Sequence, residues 1–201
     1  MTLFFLVRHG DNDSVGRGIS GRRAGIHLNE RGRAQARAAA EWLADSGVEH
    51  VYSGPLERAR ETAAPIAARL GLDVEIIDGI TEVDFGNWTG LPFTRLDTET
   101  RWRRFNRVRS VTRIPEGEMM IEVQARVVTA LEALRQRHPE SRLVIVSHGD
   151  PIRAAIAYYA GIAIDLMQNF QVDLGSVSTL AVDDQGVRVR SLNFTGGFAT
   201  G

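Results

Sequence analysis

Apolar positions along the chain fall into short unbroken runs and longer segments with helical spacing. Leu3-Phe4-Phe5-Leu6-Val7 ends abruptly at Arg8-His9-Gly10, and Leu143-Val144-Ile145-Val146 ends at Ser147-His148-Gly149-Asp150. Runs without polar alternation, with turn-forming residues behind them, read as strands buried on both faces, as in the parallel sheet of an α/β protein. Val48 to Tyr52 and Val74 to Ile77 read as further strands, and Ser176 to Val182 and Val187 to Leu192 as a closing pair joined by an Asp184-Gln185-Gly186 turn.

Helix signals fill the segments between. Asn29 reads as the cap of an alanine-rich helix to Ser46, with Trp42 and Leu43 on its apolar side and Gly47 closing it. Pro55 suits the first position of a second helix, capped by Ser53 or Gly54. Ala59, Ala63, Ile66 and Leu70 form one face of that helix, and Gly71 ends it. Glu116 to His138 reads as a long helix with Ile121, Val128, Leu131 and Leu134 toward the core, and Pro151 to Tyr159 as a shorter one. Leu91 to Ile114 shows no clear period and is expected to be irregular. This order of strands and helices predicts an α/β fold.

At 201 residues, without a Pro/Gly/Ser-rich divide, the chain is expected to form one domain over 1–201, with a capping insert at about 91–114. A net charge of -1 gives no general attraction to nucleic acid or to an anionic membrane. Absence of cysteine excludes disulfides, thiolate metal sites and cysteine nucleophiles, and absence of lysine excludes Schiff-base and P-loop lysine chemistry. The first apolar run is too short for a signal peptide or a membrane span, so a cytoplasmic protein is expected. Arginines from Arg101 to Arg113 alternate with Trp102 and Phe105. They read as part of a lid over the crevice, in preference to a nucleic-acid site.

Candidate chemistry sits at the strand ends. Two histidines that each leave a buried strand and each precede a glycine share one crevice if the strands are neighbours, and the carboxyl ends of strands are where such folds place ligands. Asp11 to His27 is a polar loop leaving the first strand, which suits an active-site loop. Arg58 lies in the first turn of its helix, where free N–H groups favour an anion and a cation is misplaced unless an anion binds between. In Glu82-Val83-Asp84-Phe85-Gly86-Asn87-Trp88 two carboxylates stand beside bulky aromatics that can desolvate one of them and raise its pKa. A metal site of two histidines and one carboxylate is the first alternative, but two convergent arginines repel a cation and match a phosphoryl group. Covalent phosphoryl transfer uses these parts: a neutral histidine nucleophile, cations around the phosphoryl oxygens and an acid for the leaving alcohol.

Four segments in order carry a family resemblance: Leu6-Val7-Arg8-His9-Gly10, Tyr52 to Ala63, Glu82 to Gly90, and Val146-Ser147-His148-Gly149. They resemble the signatures of the histidine phosphatase superfamily, phosphoglycerate mutase-like branch, and they span nearly the whole chain. The resemblance implies a three-layer α/β/α sandwich around a mostly parallel sheet and metal-independent chemistry without a cofactor. It implies His9 as the phosphorylated nucleophile, Glu82 as proton donor, and Arg8, Arg58, His148 and Gly149 around the phosphate, with Asp84 the weaker candidate for the acid. One departure stands out. The family often continues its first motif with Glu-Thr and an asparagine three residues later, where this chain has Asp11, Asn12 and Val15, leaving Asn12, Ser14 or Ser20 as replacement donors. The expected activity is hydrolysis of a small soluble phosphomonoester. A phosphoglycerate mutase is the alternative within the family, and a weakly active phospho-ligand-binding protein the alternative outside it. No nucleic-acid or membrane partner is expected, and homo-oligomer formation is left open.

Overall fold

The computed structural model describes residues 1–196. Six strands form one sheet: β1 (Thr2–Arg8), β2 (His50–Ser53), β3 (Val74–Ile76), β4 (Arg142–Ser147), β5 (Val177–Asp183) and β6 (Gly186–Phe194). Their spatial order is β3-β2-β4-β1-β5-β6. The first four strands in that order are parallel, whereas β5 and β6 run antiparallel to their neighbours. β1 and β4 are indeed adjacent, with Arg8 opposite Ser147, so His9 and His148 leave the sheet side by side.

The unbroken apolar runs are explained by two cores, one on each face. Leu3, Phe5 and Val7 of β1 and Val144 and Val146 of β4 point to one, Phe4, Leu6, Leu143 and Ile145 to the other. Each large side chain withdrawn from water contributes about 1.5–3 kcal/mol, so the central strands are held from both sides. The first core is closed by α1 (Glu30–Leu43) and α2 (Glu57–Leu70), the second by α5 (Met120–Arg137) and α6 (Gly149–Tyr159). The result is a three-layer α/β/α sandwich. Asn29 caps α1 as expected, its side chain accepting from Gly32 N at 2.9 Å.

Several expectations are corrected. α2 starts at Glu57, after Pro55, and its N-cap is Leu56 with no side-chain cap bond, so neither Ser53 nor Gly54 has that role. Trp42 is 37% exposed and packs on Phe194 at 4.8 Å between ring centroids, outside the core. α5 starts only at Met120, because Glu116 takes a left-handed φ of 55° in the turn before it. Ile121 is therefore exposed, and Met120, Val123 and Val127 point inward in its place. The stretch 91–114 is not irregular: it carries α3 (Phe93–Leu96) and α4 (Thr100–Arg107). Trp102 and Phe105, one turn apart, pack with Trp88 into an aromatic cluster, with ring centroids 5.3 and 5.5 Å from that of Trp88.

Candidate active site

A cleft of about 190 Å³ lies at the carboxyl ends of β1 and β4. Arg8, His9, Arg58, Glu82 and Gly149 line it, together with Asn12, Ser14 and Ser20 from the loop after β1. His148 lies fully buried beside it, its ring centroid 5.1 Å from that of His9. A larger cleft of about 540 Å³ runs along α1 and shares Arg8, Asn12 and Val15 with the first, but neither histidine nor Glu82 reaches it. The candidate catalytic residues therefore gather at the smaller one.

His9 is held by both ends of its residue. Its backbone N–H donates to Ser147 O at 2.9 Å, and its ring Nδ1 lies 2.8 Å from Gly10 O. A carbonyl only accepts, so the proton sits on Nδ1 and the lone pair of the neutral ring is on Nε2. Burial first, then the charges of Arg8 and Arg58, keep His9 well below its ordinary pKa, so the ring is neutral at pH 7. Glycine at position 10 is demanded by packing: a Cβ there would stand 2.5 Å from Gly32 O, where α1 meets the strand end.

Around His9, buried polar atoms lack partners. Arg8 Nε, Arg58 Nη1 and both ring nitrogens of His148 are out of contact with water and make no hydrogen bond among the described residues. An unmet buried donor costs about 1–3 kcal/mol, more when charged, and such orphans in one place mark a binding site for an anion. The guanidiniums are fixed by their other nitrogens: Arg8 Nη1 donates to Val172 O and Arg58 Nη2 to Gly21 O, each at 2.7 Å. Burial, followed by His9 and the two arginines, depresses His148 as well.

Glu82 faces this group, its Oε2 3.9 Å from His148 Nδ1. Burial first and the charge of Asp150 second push its carboxyl up to about 7, against the pull of Arg58 and Arg8. The group therefore carries a transferable proton near neutrality. Its backbone is clamped from two sides: Arg22 Nε donates to Glu82 O at 2.8 Å, and Arg126 Nη2 to the same oxygen at 3.1 Å. Arg126 Nη1 also binds Gly79 O and Thr81 O, and Glu118 bridges Arg126, Arg22 and the Asp84 N–H. Asp84 itself turns away. Its Oδ1 accepts from Gly86 N, its side chain is 45% exposed, and it does not line the cleft.

At the position of the departure, Val15 is 42% exposed, whereas Asn12 is buried with its Oδ1 accepting from Ser14 N at 3.1 Å. All three replacements line the cleft, and Asn12 is the buried one among them. Three residues given no role from the sequence also belong here: Asp150 and Arg153 line the cleft, and Arg109, counted above with the lid, is buried and reaches Asp150 Oδ2 at 3.2 Å. Burial opposes the Asp150 charge, but Arg109 and Arg153 outweigh it and hold the carboxyl below its ordinary range.

Known proteins share this architecture. Phosphoserine phosphatase 1 of Hydrogenobacter thermophilus is 30% identical over 200 residues, covering 97% of this chain and 93% of that protein. A histidine-to-alanine variant of phosphoserine phosphatase from Entamoeba histolytica, in complex with phosphoserine, matches with a TM-score of 0.88 at 26% identity, over 97% of this chain and 98% of the other. The α-ribazole phosphatase of Shigella flexneri matches with a TM-score of 0.85 at 27% identity, over 95% and 96% of the two chains. The model of the histidine phosphatase superfamily, branch 1, matches residues 4–195, and this chain belongs to that family.

Proposed function

We propose that the protein is a phosphomonoester hydrolase working through a phosphohistidine on His9. The observation that carries the reading is the buried His9, its Nδ1 tied to Gly10 O, among buried guanidinium nitrogens that have no partner among the described residues. His9 Nε2 forms a bond to phosphorus as the ester P–O bond breaks, and the leaving oxygen takes the proton of Glu82. The Glu82 carboxylate then takes a proton from water. The water oxygen attacks phosphorus, the P–N bond breaks, and inorganic phosphate leaves with His9 restored. Arg8, Arg58 and His148 hold the phosphoryl oxygens, where preorganised positive charge acts most strongly because water is excluded. Gly149 and Asn12 contribute at its edge, and no step in this scheme calls for a metal.

Relatives named for different esters, phosphoserine and α-ribazole phosphate, support a shared phosphatase chemistry with a variable alcohol. The separate presence of a nucleophile and a proton donor speaks for turnover over mere binding. Brief reaction with labelled substrate, followed by an alkaline quench, is expected to leave acid-labile phosphate on His9. His9→Ala is expected to lose both the label and turnover of p-nitrophenyl phosphate. Near-normal turnover by His9→Ala overturns the covalent route.

A further inference from the structure

The phosphate scheme leaves one cation of the cleft without work. Arg153 stands on the first turns of α6, lines the cleft and has a side chain 18% exposed. Its Nε donates to Phe170 O at 2.9 Å and its Nη1 lies 3.3 Å from Asp150 Oδ1. Among the described residues nothing bonds its Nη2. Asp150 engages it only in part: Arg109, more deeply buried, meets the other carboxylate oxygen, and Gln168 Nε2 shares Asp150 Oδ1 with Arg153 at 3.3 Å.

Arg153 and Arg8 are built as a pair. The backbone carbonyls of one short segment, Phe170 and Val172, fix one nitrogen of each. Gly149 separates them: a Cβ on it would stand 3.1 Å from Arg153 Nη1 and 3.4 Å from Arg8 Cζ. After burial, Arg153 is the charge that most lowers the Arg8 pKa, so the two guanidiniums feel each other's repulsion. Holding like charges together costs free energy that nearby anions offset, and Asp150, shared with Arg109, does so for only one edge of Arg153. Arg8 belongs to the phosphate, so Arg153 is left for a second anion further out. Ile19, Phe85 and Phe93 supply apolar wall to the cleft, and its 190 Å³ lies below the roughly 300–1,000 Å³ of drug-sized sites.

We propose that Arg153 binds a carboxylate of the substrate, and that the preferred substrates are phosphate esters of small hydroxy acids. This deepens the hydrolase reading and rests on it. 3-Phosphoglycerate and glycerol 3-phosphate form a matched pair, carboxylate against hydroxymethyl. The wild-type protein is expected to favour 3-phosphoglycerate at least about 10-fold in kcat/KM for phosphate release. Arg153→Met keeps the aliphatic stem and is expected to lose about 10- to 100-fold on 3-phosphoglycerate, mainly through KM, as loss of a charge-assisted hydrogen bond implies. Glycerol 3-phosphate and p-nitrophenyl phosphate are expected to change less than about 3-fold, and Arg153→Lys to recover part of the preference.

Parallel losses on all three substrates, or a wild-type protein that turns over p-nitrophenyl phosphate without favouring 3-phosphoglycerate, overturn the inference and leave the hydrolase reading standing. Absence of phosphate release from all three esters overturns the hydrolase reading instead. Thermal protection then decides about Arg153: stronger protection by 3-phosphoglycerate than by glycerol 3-phosphate, lost in Arg153→Met, supports the carboxylate site, and equal protection refutes it.

Discussion

Glu82 shows how neighbours set the work of a single side chain. Burial and the Asp150 charge lift its carboxyl to about 7, so the free protein holds the proton up to neutrality. Phosphate release from an alkyl phosphate is expected to be flat on the acid side of 7 and to fall above it. Glu82→Gln removes the proton while keeping the shape. Alkyl phosphates are expected to lose at least about 100-fold and p-nitrophenyl phosphate, whose phenolate leaves unaided, far less. Equal losses on both substrates move the proton donor elsewhere. The same shift has a stability sign. A carboxyl raised in the folded state stabilises fully below its unfolded value, 4.5, and that contribution is lost as pH rises through about 7. In the free protein it amounts to about 3 kcal/mol, so Glu82→Gln is expected to melt higher than wild type at pH 8 but not at pH 4. His9, His148, Arg8, Arg58 and Glu82 were legible because each stands in a short motif at a strand end, at a helix start or beside aromatics. Asp150, Arg153 and Arg109 were not. Their contacts join α6 to residues from other parts of the chain, and no local pattern announces such a meeting.

Legibility at the scale of elements followed the kind of burial. β1 and β4 are covered on both faces, and a run of apolar residues has no other good explanation. α3 and α4 are short and turn arginines outward, and the one signal of α4, the spacing of Trp102 and Phe105, is too short to set it apart from the irregular chain expected there. The start of α5 was misplaced by four residues because the turn before it holds Glu116 at positive φ, a conformation that its residue type does not signal. That turn also supports the segment that carries the proposed acid. It places Glu118 against Arg126 of α5, and the pair grips the backbone from Gly79 to Asp84. Arg126→Met removes three carbonyl bonds at once, each worth about 1.5–3 kcal/mol when the donor is charged, though partly recovered by water at this 21% exposed side chain. Turnover of alkyl phosphates is expected to fall at least about 10-fold and that of p-nitrophenyl phosphate by less than about 3-fold, with a lowered melting temperature. A uniform fall on both substrates reduces the clamp to a structural support.

For the molecule as a whole, the proposed phosphohistidine can meet either water or a second hydroxyl. A mutase keeps it dry until a second hydroxyl of the same substrate arrives, and a hydrolase lets water in. The wall of the cleft made by the loop after β1 is thin at its tip: Val15, Gly16 and Arg17 are exposed, and the loop is tied to the stretch before α3 only further along, by the Gly18–Pro92 bridge and the backbone bonds of Ile19 with Gly90 and Leu91. Such a rim hinders a departing alcohol more than it hinders water. A carboxylate held by Arg153 would fix the ester for attack, yet the same grip opposes the turn that brings a neighbouring hydroxyl to phosphorus. With 3-phosphoglycerate and a trace of the bisphosphate primer, phosphorus NMR is expected to show inorganic phosphate growing with little 2-phosphoglycerate. Isomerisation faster than phosphate release would mean that the rim closes in the complex, and it would assign the chain to the mutase alternative.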